Sequence, residues 1–71
     1  MSLYKFNKKE NCIIDELPTN DLLLALGLRK GVTVSVLTRQ PFGGPIVVKM
    51  NNRSIAIDKN VAEQIMARLV S

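Results

Sequence analysis

Proline and glycine punctuate this chain so closely that only short elements fit between the breaks. Pro18 stops one run, Gly27 and Gly31 bracket a turn, and Pro41-Phe42-Gly43-Gly44-Pro45 has a composition that no regular element tolerates. The stretches in between alternate. Val32-Thr33-Val34-Ser35-Val36 sets its valines on one face of a strand opened by Gly31. Residues 11–17 read as a first strand that ends at Pro18, because proline has no N–H to give a ladder. Ile46-Val47-Val48-Lys49-Met50 and Arg53-Ser54-Ile55-Ala56-Ile57 flank Asn51-Asn52, two residues that tolerate positive φ, so a two-residue hairpin is predicted. Its register puts Val48 opposite Ile55 and Ile46 opposite Ile57. A last strand is expected over residues 65–70.

Helical signals occur twice. Thr19-Asn20-Asp21 offers capping side chains ahead of Leu22-Leu23-Leu24-Ala25-Leu26, and Gly27 can end that helix in the left-handed conformation. About two turns is too short to be stable alone, so packing must hold it. At about 100° per residue Leu22, Leu23 and Leu26 share a face and Leu24 lies off it. Either the helix is buried on most sides or Leu24 reaches the surface; Leu23 and Leu26 are expected to form a lid over the core. Asp58 is placed to cap a single turn through Lys59, Asn60, Val61 and Ala62. The prediction is therefore mainly β with short helices, a five-stranded small barrel with one helix inserted after the first strand. Closure of this kind hides strand edges. The pattern alone leaves the choice between the Src-homology-3 and OB types open.

At 71 residues and 46% apolar, the chain has the composition of one small folded domain rather than a disordered chain. No apolar run approaches the roughly 18 residues of a membrane span, and no charged-then-apolar leader is seen, so a soluble intracellular domain is expected. Residues 1–7 are read as an N-terminal extension and 8–71 as the barrel domain; Met1-Ser2-Leu3, a native start or an expression remnant, is left out of the reading. One cysteine, Cys12, rules out an internal disulfide and a cysteine-rich metal cage, and the absence of histidine removes the usual acid–base and metal chemistry. Cys12 shares a strand face with Ile14 and reads as a small buried hydrophobe with no base to activate it. Asp15, Glu16, Asp21, Asp58 and Glu63 show no ligand spacing, and neighbours Asp15 and Glu16 should face opposite ways. No cofactor or resident metal is expected beyond an adventitious divalent ion or one shared between chains. Gly43-Gly44 runs into proline and an apolar strand, so it is not a phosphate cradle. The chain does not read as an enzyme.

Ten Lys and Arg against six Asp and Glu give a net charge of +4, scattered in clusters of at most two. Such a surface suits acidic partners, but nucleic-acid barrels and proline-peptide grooves rely on aromatic platforms. Here the aromatics are Tyr4, Phe6 and Phe42, none on a predicted strand core. Phe42 either folds back to plug one end of the barrel or stands out as a contact. Protein docking is the reading left with a positive signal, the leucine helix.

Leu23-Leu24-Ala25-Leu26-Gly27-Leu28-Arg29-Lys30-Gly31 followed by Val32-Thr33-Val34 resembles the helix–glycine–strand signature of the ferrous iron transport protein A (FeoA) family. Pro41-Phe42-Gly43-Gly44-Pro45-Ile46 is similar to that family's proline–glycine–proline loop, and Ile55-Ala56-Ile57, Ala62 and Ile65 are similar to its closing hairpin and last strand. The likeness spans about residues 8–70. Lys30 stands where the family usually has proline, and Gly44 where an acidic residue is common; lysine is tolerated there and glycine is more permissive than aspartate. An acidic contact at position 44 is thereby in doubt.

The resemblance implies a Src-homology-3-like barrel and a non-enzymatic accessory protein of bacterial ferrous iron uptake. It also implies a cytoplasmic location, at the inner face of the membrane through a partner. That partner would be the membrane ferrous iron transporter with its cytoplasmic GTP-binding domain. The same barrel serves as a C-terminal domain of metal-dependent repressors, a use that a chain without a DNA-binding helix pair does not fit. The expected contact residues are Leu22 and Leu24 on the helix, Arg29, Lys30 and Arg39 as steering charges, and Pro41, Phe42, Gly43, Gly44 and Pro45 in the loop. Self-association through the apolar helix is a second expectation. The competing functions are a nucleic-acid-binding barrel and a divalent-metal-binding protein.

Overall fold

The computed structural model describes residues 1–40 and 42–70. Its strands are β1 (Asn11–Glu16), β2 (Thr33–Arg39), β3 (Ile46–Met50), β4 (Arg53–Ile57) and β5 (Met66–Leu69). Helix α1 (Asp21–Ala25) follows β1, α2 (Lys59–Ala62) joins β4 to β5, and a 3-10 turn occupies Leu3–Lys5. All neighbouring strands are antiparallel, in the order β4-β3-β2-β1-β5. This is the small five-stranded Src-homology-3-like fold that the family resemblance implies, which decides between the two barrel types the pattern left open.

The hairpin forms in the predicted register, Val48 opposite Ile55 and Ile46 opposite Ile57, so each inward side chain meets another. Of the two turn asparagines only Asn51 adopts positive φ, 57°. Strand β2 runs beyond its valines to Arg39 because an irregularity between Val36 and Thr38 lets Thr38 and Arg39 go on pairing with β3. A second irregularity between Ile14 and Glu16 bends β1 against β5. Such bulges sharpen the local twist and help a short sheet coil around one core. The alternation breaks at each of them, which period-two reading of the sequence does not detect.

The core is wholly apolar among the described residues, and its largest buried side chains include Phe6, Leu3, Ile14, Leu28, Ile46 and Ile65. Cys12 is buried among them, as expected. Residues 1–7, set outside the barrel by the sequence reading, supply part of this core: Leu3, Tyr4 and Phe6 are buried. Ser2 bridges Met66, the Leu3 N–H donates to the Ile65 carbonyl at 2.8 Å, and the Ala67 N–H donates to the Met1 carbonyl at 2.9 Å. The opening segment thus covers part of the outer edge of β5, which would otherwise present unpaired backbone groups. Aromatic and leucine side chains separated by charged residues gave no periodic signal, so this strap was not legible.

Helix α2 begins after Asp58 as predicted, but the Asp58 side chain makes no capping bond; only its carbonyl takes part, accepting from Ala62 N–H at 2.8 Å. No helix among the described residues is long and apolar enough to cross a membrane.

Candidate functional site

Helix α1 is short but closed at both ends. Asn20 caps it, its Oδ1 accepting from the Leu22 N–H at 2.8 Å. At the far end Gly27 takes φ +90°, its N–H donates to the Leu24 carbonyl and the Leu28 N–H donates to the Leu23 carbonyl, both at 3.0 Å. This paired pattern is a Schellman cap, and the Leu23 and Leu28 side chains that usually accompany it are both buried. The helix is therefore fixed to the barrel through Leu23, 3% exposed, with Leu26 partly buried beside it.

That arrangement leaves Leu22 at 64% and Leu24 at 57% exposure. The helical wheel sets Leu22 on one face with Leu23 and Leu26, and all three line a groove of about 160 Å³ together with Ala56, Ile57 and Val61, Leu22 forming its exposed wall. Asn20 and Asp58 supply its polar rim. The β4 and α2 residues of this groove were missed by the sequence reading, since only the fold brings residues 22 and 56–61 together.

Across α2 lies the second predicted region, the loop after β2. Pro41 falls outside the described residues. Phe42 is 98% exposed, so it plugs no barrel end. The loop is held from beneath by Tyr4, whose hydroxyl donates to the Gly44 carbonyl at 2.8 Å. Arg39 Nε donates to the Tyr4 carbonyl at 2.9 Å, with the guanidinium 5.6 Å from the Tyr4 ring centre. Lys59 Nζ approaches the same ring to 5.8 Å. Two cations on one ring are a favourable pair of contacts for an aromatic face. Gly44 has ordinary φ; what it supplies is room, since a Cβ there would lie 2.6 Å from Gln40 Cγ. The sequence reading had credited this glycine with backbone freedom.

Gly43 and Pro45 are exposed in the loop, and Arg29 and Lys30 are exposed in the turn between α1 and β2. The steering residues do not form one cluster by contact, because Arg39 is committed to Tyr4. Among the described residues the single ion pair is Arg68 Nε to Asp15 Oδ1, 3.3 Å, across the β1–β5 surface. No group of three Cys, Asp or Glu side chains among the described residues is placed to hold a metal. Burial, with the Glu10 charge second, pushes the Cys12 thiol up to about 11, so at neutral pH it is a protonated, enclosed group. Of the three aromatics, two are packed inside and Phe42 stands alone, which leaves no stacking platform. What the arrangement offers is an apolar contact surface.

The FeoA domain family model matches residues 1–69. The chain belongs to the FeoA family. A crystal structure titled iron uptake regulatory protein (FeoA) superposes with a TM-score of 0.89 at 27% identity, covering 99% of this chain and 96% of that one. Iron(II) transport protein A from Clostridium thermocellum gives 0.89 at 28% identity, over 99% of this chain and 46% of that one. A structure titled ScaR with bound Zn2+ gives 0.86 at 20% identity, over 99% of this chain and 37% of that one, a likeness of fold alone. No curated protein matches this sequence. The FeoA match begins at residue 1, so it takes in the strap that closes the β5 edge.

Proposed function

We propose that this FeoA-family chain is a non-enzymatic adaptor of ferrous iron uptake. It acts in the cytoplasm by binding the membrane ferrous iron transporter that carries a GTP-binding domain. The observation that carries the reading is the pair of exposed leucines, Leu22 and Leu24, on a helix whose other leucines and both caps fix it rigidly to the core. Two large apolar side chains left exposed on one short helix, Leu22 beside an apolar groove, support an interaction site. Rigid presentation lowers the ordering cost of binding. The apolar groove beside Leu22 offers a cavity for an anchoring side chain of the partner, as interface centres do. Arg29 and Lys30, exposed in the turn that leads into β2, steer an acidic face toward it, while Arg39, held by Tyr4, lies apart from them. Gly43, Gly44 and Pro45, with Phe42, rim the surface across α2.

The names of the solved relatives, iron(II) transport protein A and iron uptake regulatory protein, support the iron-uptake setting. The test is calorimetric titration against the detergent-solubilised transporter of the same genome, with and without a GTP analogue. Saturable one-site binding is expected in at least one nucleotide state. No heat and no retention in either state would remove the adaptor reading. A shift to dimer mass on light scattering without transporter would assign the helix to self-association instead.

A further inference from the structure

The loop tip has a chemistry distinct from the leucine surface. Phe42 stands 98% exposed beside Gly43, which has no side chain to shelter it. Such exposure of a whole phenyl ring costs hydration free energy unless something covers it. The base of the loop is cationic. Lys59 lies against Gly43, its Nζ 3.6 Å from where a Cβ would stand, and Arg39 and Lys59 both flank the Tyr4 ring. Lys5, exposed, follows Tyr4 in the chain. None of the three has a carboxylate within 4.0 Å among the described residues, and the chain as a whole carries +4. Asp58, next to Lys59, is the neighbouring acid in sequence. The base of the loop is tied to the barrel by the Tyr4 hydroxyl, which donates to the Gly44 carbonyl at 2.8 Å.

A lone exposed ring on a loop whose base carries exposed cations complements an anionic lipid surface, with the ring at the acyl boundary and the cations at headgroup level. We infer that Phe42, with Arg39, Lys59 and Lys5, forms a contact for an anionic bilayer. This goes beyond the adaptor reading, since it needs only lipid and no protein partner, and it assigns the Phe42 rim to the membrane while the α1 groove faces protein. One ring and three cations give weak, reversible binding that concentrates the chain at the membrane without anchoring it.

The protein has no tryptophan, so Phe42→Trp installs a sole indole at the tip, excited selectively over Tyr4, without touching the core. The intact variant is titrated with vesicles of phosphatidylcholine alone or mixed with phosphatidylglycerol. A lipid-dependent blue shift is expected with the anionic vesicles only, reversed at raised ionic strength. Adding Lys59→Gln should weaken the apparent partitioning about fivefold. Emission that stays unshifted with anionic vesicles overturns the inference. So does a shift that is equal on neutral vesicles, or one that appears only when solubilised transporter is added, which would place Phe42 in the protein contact.

Discussion

Cys12 illustrates how much one side chain's surroundings decide. It sits fully buried on β1, and its thiol is pushed from 9.0 up to about 11, by burial first and the Glu10 charge second. The folded state then holds the thiol proton more tightly than the unfolded chain does. Its contribution to stability is complete below pH 9.0 and is lost as pH rises toward about 11. A thiol-reactive dye at pH 8 is expected to label the native protein far more slowly than the protein in denaturant; equal rates would contradict the burial. The two positive-φ glycines around α1 make a second comparison. Gly27, at φ +90°, also has Met50 Cε 3.1 Å from the position of a Cβ, whereas Gly31, at φ +92°, has open space. Denaturant titration should show Gly31→Ala costing about 1 kcal/mol and Gly27→Ala about 2 kcal/mol or more. Position 27 was legible from the run of leucines ending in glycine, because a C-cap is a local device. The crowding by Met50 was not, because it comes from a residue on β3.

At the level of elements, what the sequence made visible was what neighbours in the chain decide together. The β3–β4 hairpin follows from alternating apolar residues around two asparagines, and the Asn20 and Gly27 caps follow from residue type. Contacts at long range escaped it. The groove joins α1 to β4 and α2, and Tyr4 reaches the loop forty positions on to hold Gly44. Within α1 the three leucines divide sharply in role, Leu23 buried and Leu22 and Leu24 exposed. Leu23→Ala should cost about 2–5 kcal/mol, since it opens a cavity against the barrel. Leu24→Asp should cost less than about 1 kcal/mol, a helix-propensity and surface effect. Thermal melts of the two variants check this, and a Leu24→Asp protein that unfolds would make the whole helix core.

For the whole molecule, the strap at residues 1–6 is what makes a sheet of five short strands into an enclosed core. A domain of this length holds roughly 4–10 kcal/mol of net stability. Phe6→Ala, which removes one of the largest buried side chains, should cost about 3–5 kcal/mol and leave the fold marginal. A melting temperature unchanged by Phe6→Ala would show that the N-terminal segment is not integral. Function, on this account, lies in the surface that the enclosed core leaves over: a rigid helix showing two leucines beside an apolar groove. The most direct measurement is titration of the solubilised transporter with the parent chain and with Leu24→Asp, each first matched by circular dichroism and melting. The account predicts saturable binding for the parent and binding weakened at least tenfold for a Leu24→Asp protein that melts like the parent. Equal binding by a folded Leu24→Asp variant would contradict it.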